Sequence, residues 1–120
     1  MRGLTLLVAT ADAERLHAAL TYAAAGAAAG GPVKLHLHEG AVSLLAPLAD
    51  APGDYARVKA GLPTLTQILD EALTLGVAIT VCQSGLALAD IDLSQVDSRI
   101  EAQGPVGLLS SLADDRMLVF

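Results

Sequence analysis

The chain reads as an α/β fold: a mainly parallel, five-stranded sheet with helices on both faces. Three observations lead there. Residues 4–9 (LTLLVA) and 77–82 (VAITVC) are short, nearly continuous apolar runs, the mark of strands buried on both faces. Apolar residues at helical spacing separate such runs, so strands and helices alternate along the chain. The 120 residues, 53% hydrophobic and 17% charged, suffice for one packed domain spanning 1–120 and are too few for two cores of ordinary size.

Taken in order, residues 4–9 form the first strand. Asp12 is placed to cap a helix that runs to about Ala29, with Leu16, Leu20 and Ala23 on one face and Gly30-Gly31 as its stop. After Pro32, residues Val33, Leu35 and Leu37 alternate with Lys34, His36 and His38, which predicts a half-buried second strand. Residues 40–48 predict a short helix broken by Pro47, and the polar segment 50–61 with Pro52-Gly53 predicts a loop or lid. Residues 64–75 (TLTQILDEALTL), led by Pro63 and closed by Gly76, place Leu65, Ile68, Leu69, Ala72 and Leu73 on one helical face. The third strand, 77–82, ends on Cys82, and 83–89 continue as a helix. A short strand near Ile100, a helix from Gly104-Pro105 through Ala113 and a last strand over 117–120 complete the order.

Composition narrows the function. A net charge of −6 and a pI near 4.7, with no Lys/Arg stripe, argue against a nucleic-acid partner. One cysteine cannot close an internal disulfide, which fits a reducing, cytoplasmic setting. The apolar start is too short for a signal sequence, and the low-polarity stretch 18–31 is too short to span a bilayer, so no membrane segment is expected. Only Tyr22, Tyr55 and Phe120 are aromatic, so Leu, Ala, Val and Ile must build the core. That much apolar surface on so small a chain also predicts self-association.

Cys82 is the focus of the candidate chemistry. It stands at the carboxyl end of a parallel strand, where ligands bind in open α/β sheets, and directly ahead of a helix whose free N–H groups favour a thiolate. The competing role is an inert, buried thiol. Position 85 is Gly, so no Cys-x-x-Cys redox pair exists, and position 88 is Leu where a phosphatase-type cysteine loop needs Arg. Rhodanese-type loops carry an arginine that Cys82-Gln83-Ser84-Gly85 lacks, and a receiver domain would place Asp where Cys82 stands. His38, ending the neighbouring strand, is the expected partner or base for the thiol, with Arg57 and Lys59 as other candidate cations. His36, His38 and Glu39 suggest a metal only in part; strand histidines of this kind are expected at the surface, with no metal and no cofactor.

With these residues in view, a resemblance emerges. His36-Leu37-His38-Glu39-Gly40-Ala41-Val42-Ser43-Leu44-Leu45 looks like the second-strand motif of the DsrE/DsrF-like (DsrEFH) proteins, and Gly76-Val77 through Cys82-Gln83-Ser84 resembles their cysteine strand. Ala102-Gln103-Gly104-Pro105 to Leu112 and 117–120 resemble their closing helix and strand. The resemblance implies a three-layer α/β/α sandwich, homotrimers or homohexamers, and a cysteine that accepts sulfane sulfur as a persulfide and passes it on. Cys82 matches that position, with His38 beside it and Glu39, Gly40, Gln83 and Ser84 as the binding surround. Sulfur-donor and sulfur-acceptor proteins are then the expected partners. The alternative is a non-catalytic, oligomeric small-ligand-binding module in which the cysteine only lines a crevice.

Overall fold

Five strands carry the architecture: β1 (Leu4–Val8), β2 (Val33–Leu37), β3 (Ala78–Val81), β4 (Glu101–Ala102) and β5 (Arg116–Val119). In the computed structural model, which describes residues 2–46 and 51–120, they form one sheet in the order β4-β3-β2-β1-β5, and every adjacent pair is parallel. The sheet expected from sequence is therefore wholly parallel.

Register decides what each face carries. Leu6 pairs with Leu35 and Leu35 with Ile79; Val8 pairs with Leu37 and Leu37 with Val81. All six are buried. They face α1 (Ala13–Ala28) and α3 (Leu65–Thr74), two helices packed against each other. The approach of α1 is close: a Cβ on Gly26 would stand 3.1 Å from Val33 Cγ2 and 3.4 Å from Leu4 Cδ2. Buried Ala19, Ala23 and Ala24 belong to the same contact, so small side chains set the helix-to-sheet spacing. On the opposite face, Leu7, His36 and Met117 meet α5 (Pro105–Ser110), which gives the third layer of the sandwich.

The helix ends follow local chemistry. Asp12 accepts from the N–H groups of Glu14 and Arg15, and Thr64 forms a reciprocal capping box with Gln67. Gly30 and Gly76 follow their helices at φ +93° and +94°, left-handed positions that suit glycine. Among the described residues, no helix is long and apolar enough to cross a membrane.

Several boundaries and one segment differ from expectation. The helix expected over 40–48 is a 3-10 segment, Glu39–Leu45, and the break expected at Pro47 lies outside the described residues. The predicted loop or lid, described from residue 51 onward, contains a helix, α2 (Asp54–Lys59). Six residues after Pro-Gly look like a turn in sequence; the buried Asp54 carboxylate makes them a fixed element. It accepts from Ala51 N (3.0 Å) and Leu65 N (3.0 Å) and pairs with Arg57 (3.0 Å). The last helix stops at Ser110, short of Ala113, which has a left-handed φ of +49°. The second strand is buried on both faces: His36 is 1% exposed, because α5 covers the side that alternation assigned to solvent.

Candidate functional site

The carboxyl ends of β2 and β3 bring Glu39 and Cys82 together. Cys82 N–H still donates to Leu37 O (3.2 Å), continuing the β3-β2 ladder, but the residue is the N-cap of α4 (Gln83–Ala89) rather than the last strand residue. Its extended backbone turns the side chain back over the first helical turn. There Sγ accepts three hydrogen bonds: from Glu39 N (2.9 Å), Gly85 N (3.2 Å) and Ser84 Oγ (3.4 Å).

Two backbone features hold those donors in place. Glu39 has φ +41°, a left-handed conformation that L side chains rarely adopt. Gly85 allows α4 to lie against the 3-10 segment: a Cβ there would come within 2.3 Å of Val42 Cγ2 and 2.7 Å of Glu39 O. Any larger residue would push apart the two elements that converge on the sulfur.

The electrostatics favour the anion. Burial pushes the Cys82 thiol up, but hydrogen bonds from Ser84, Glu39 and Gly85 outweigh it, and the balance lies below the ordinary thiol value. A thiolate can accept from all three donors, so they favour it over the thiol. Cys82 itself is 2% exposed, while Ser84 and Gly40 beside it are open to solvent.

Of the other residues singled out in sequence, Glu39 and Ser84 touch the sulfur. Gly40 accepts from Ser43 Oγ (2.7 Å), within the turn that follows Glu39, and Gln83 opens α4 as an exposed residue. His38 Nε2 lies 3.1 Å from Glu39 Oε1, and it is not among the three donors to Sγ. Arg57 is engaged by Asp54 and Lys59 is exposed. Gly85 was not anticipated. A signal existed: if Cys82 caps a helix, the residue three positions on must supply the capping N–H, and that residue is Gly85.

His36 is a buried histidine. Its Nδ1 lies 2.8 Å from Thr80 Oγ1, and Nε2 has no protein partner among the described residues. Burial, and secondarily His38, push its pKa below the ordinary value, so it is neutral at pH 7. No group of three His, Cys, Asp or Glu side chains able to hold a metal occurs among the described residues.

No protein-family model matches the chain, and no curated protein matches it. Solved structures do. The ychN protein from E. coli superposes with a TM-score of 0.78 at 20% identity, covering 100% of both chains. MTH1491 from Methanobacterium thermoautotrophicum, described as a protein of unknown function, superposes with a TM-score of 0.72 at 11% identity, again over 100% of both chains. At these identities the likeness establishes a shared fold.

Proposed function

We propose that the protein is a sulfur carrier of the DsrE/DsrF-like kind, in which Cys82 accepts a sulfane sulfur and hands it to an acceptor thiol. The observation that supports this most directly is the convergence of three donors, Glu39 N, Gly85 N and Ser84 Oγ, on the Cys82 sulfur. Donors so placed favour a thiolate, which is the nucleophile that the reaction requires. The Cys82 thiolate attacks the outer sulfur of a donor R–S–SH. A new S–S bond forms at Cys82, the S–S bond of the donor breaks, and R–S⁻ leaves. An acceptor thiolate then attacks the outer sulfur and releases Cys82 as thiolate, so no external oxidant or reductant is needed. Donor and acceptor reach the sulfur from the side of Gly40 and Ser84, its exposed neighbours. His38, paired with Glu39, holds the turn that carries the Glu39 N–H. The protein works in the cytoplasm as a homotrimer or homohexamer alongside sulfur-donor and sulfur-acceptor proteins.

The 2% exposure of Cys82 favours a second reading, a small-ligand-binding module of the same fold with a structural thiol. Incubation of the native protein with a persulfide donor, followed by intact mass, separates the two. The carrier gains the mass of one sulfur, the gain is absent in Cys82→Ser, and an added thiol removes it. A native mass that never changes assigns the chain to the second reading.

A further inference from the structure

One carboxylate stands beside the Cys82 sulfur, that of Glu39. The Glu39 N–H reaches Sγ across 2.9 Å, and a glutamate side chain extends about 6 Å from its own nitrogen, so the carboxylate lies within roughly 9 Å of the sulfur. That is inside the ~10 Å over which 0.1 M salt screens exposed charges. The side chain is 47% exposed and adjoins the exposed Gly40, so it borders the open side of the site.

No fixed positive charge cancels it. Its ion-pair partner among the described residues is His38, at 3.1 Å, whose charge depends on pH. The Lys and Arg ion pairs of the described residues lie elsewhere: Lys34 with Asp115, Arg57 with Asp54, Arg99 with Asp70 and Asp97. The other neighbours on the open side, Gly40, Gln83 and Ser84, are uncharged, and the chain as a whole carries −6.

The backbone singles out the same residue. Position 39, at φ +41°, suits glycine, and a glycine follows at position 40, yet the chain keeps a glutamate in the left-handed conformation. Strain of this kind clusters at functional sites. The bond to the sulfur uses only the backbone N–H, which glycine would supply as well. What glutamate adds is the carboxylate.

We propose that the Glu39 carboxylate is a charge filter for Cys82: it turns away anionic sulfur donors such as thiosulfate and admits neutral or cationic persulfides, R–S–SH. The substrate class rests on the sulfur-carrier reading, and the transfer is the exchange given above, with R–S⁻ as the leaving group. One charge at this distance, partly solvated, is worth roughly three- to tenfold in rate against a monoanion.

Iodoacetamide and iodoacetate, nearly equal in size and different by one negative charge, read the filter at Cys82. At about pH 8 and low salt, the ratio of iodoacetate to iodoacetamide rates is expected roughly three- to tenfold below that of mercaptoethanol, and ~1 M salt should erase the gap. Glu39→Gln keeps the backbone N–H, removes the charge and should bring the ratio up to that of mercaptoethanol. Should the glutamine variant not fold, Glu39→Gly, which relieves the strain, is expected to do the same. A native ratio equal to that of mercaptoethanol, a low ratio that both variants retain, or a Cys82 that neither reagent reaches in the folded protein would overturn the proposal. Persulfide loading followed by intact mass fails separately. A protein that discriminates but gains no sulfur refutes the carrier and keeps the filter; one that gains sulfur without discriminating keeps the carrier and refutes the filter.

Discussion

Glu39 turns its backbone to φ +41° and points its N–H at the Cys82 sulfur across 2.9 Å. A non-glycine residue held there stores on the order of 1 kcal/mol or more of strain, and such strain persists only where the surroundings impose it. Here the surroundings are α4, packed against the 3-10 segment, and the sulfur itself. Glycine tolerates this conformation and a β-branched residue does not. Glu39→Gly should therefore keep urea stability within about 1 kcal/mol of native, whereas Glu39→Val should lose about 1–3 kcal/mol. The valine variant should also raise the apparent pKa of Cys82 alkylation. Equal behaviour of the two variants would show that the turn is not strained.

Alkylation of Cys82 against pH reports the balance at the sulfur. Burial raises the pKa while Ser84, Glu39 and Gly85 lower it further, so the apparent value should fall below the ~8.5 of a free thiol. The stability consequence has a definite sign. A depressed folded pKa means that the folded state sheds its proton first, so the stabilising contribution is full above the unfolded thiol pKa and is lost as pH falls through the folded value. The stability difference between native protein and Cys82→Ala should therefore grow as pH rises through the thiol range. In His38→Ala the alkylation curve should shift upward, since removing the Glu39 partner loosens the turn. An unchanged curve would take His38 out of the site.

Gly85 donates to the sulfur and Gly40 follows the donor Glu39 in the chain, and the two should respond differently to a methyl group. A Cβ on Gly85 meets Val42 Cγ2 at 2.3 Å and the Glu39 carbonyl at 2.7 Å, whereas on Gly40 the nearest neighbour is Ala11 Cβ at an ordinary 3.7 Å. Gly85→Ala should cost about 1–3 kcal/mol through overpacking and raise the thiol pKa by moving α4 away. Gly40→Ala should change neither by much. Thermal melts with the alkylation profile check both.

Much of this was legible in the chain. The runs at 4–9 and 77–82 are apolar because each strand has neighbours on both faces of a parallel sheet, and that pattern survives without context. Capping survives too: Asp12 and Thr64 each act on donors within one turn. What was illegible depends on distant partners. Lys34, His36 and His38 alternate like a solvent face, and only α5, arriving some seventy residues later, buries His36. Asp54 looked like a loop residue because one of its partners, Leu65 N, is eleven residues away. Cys82 could be placed at a strand end, but the Glu39 donor comes from the 3-10 segment that follows a different strand, and no local spacing announces it.

Asp54 offers a test outside the candidate site. Burial raises its pKa, but the N–H groups of Leu65 and Ala51 and the Arg57 guanidinium lower it further, so the net shift is downward. Its stabilising contribution is complete above the unfolded carboxyl value and is lost as pH falls through the folded one. Asp54→Asn should destabilise the protein at pH 7 by about 1–3 kcal/mol, and the difference should begin to shrink as pH falls below about 4 and go on shrinking through the lower folded value. A constant difference across that range would mean that the charge contributes nothing.

The last prediction concerns assembly. β5 is an edge strand whose outer backbone groups are unpaired by any other strand of the sheet, and its side chains remain open: Met117, Leu118 and Val119 are 37%, 42% and 65% exposed. On the nearby helix, Val106 is 81% exposed. Proteins that stay monomeric blunt such edges with charge, proline or a covering element. Here Arg116 is the only charged residue of the strand, so an apolar edge is left to pair or pack with another chain. Copies of the same chain are the simplest partner, and a closed ring would leave no edge free. Light scattering at micromolar concentration should then give the mass of three or six chains. Leu118→Lys places a charge on the edge at an exposed position, and should shift the mass toward the monomer without unfolding the protein. A native chain that scatters as a monomer, or a Leu118→Lys variant that assembles undiminished, would remove β5 as the interface.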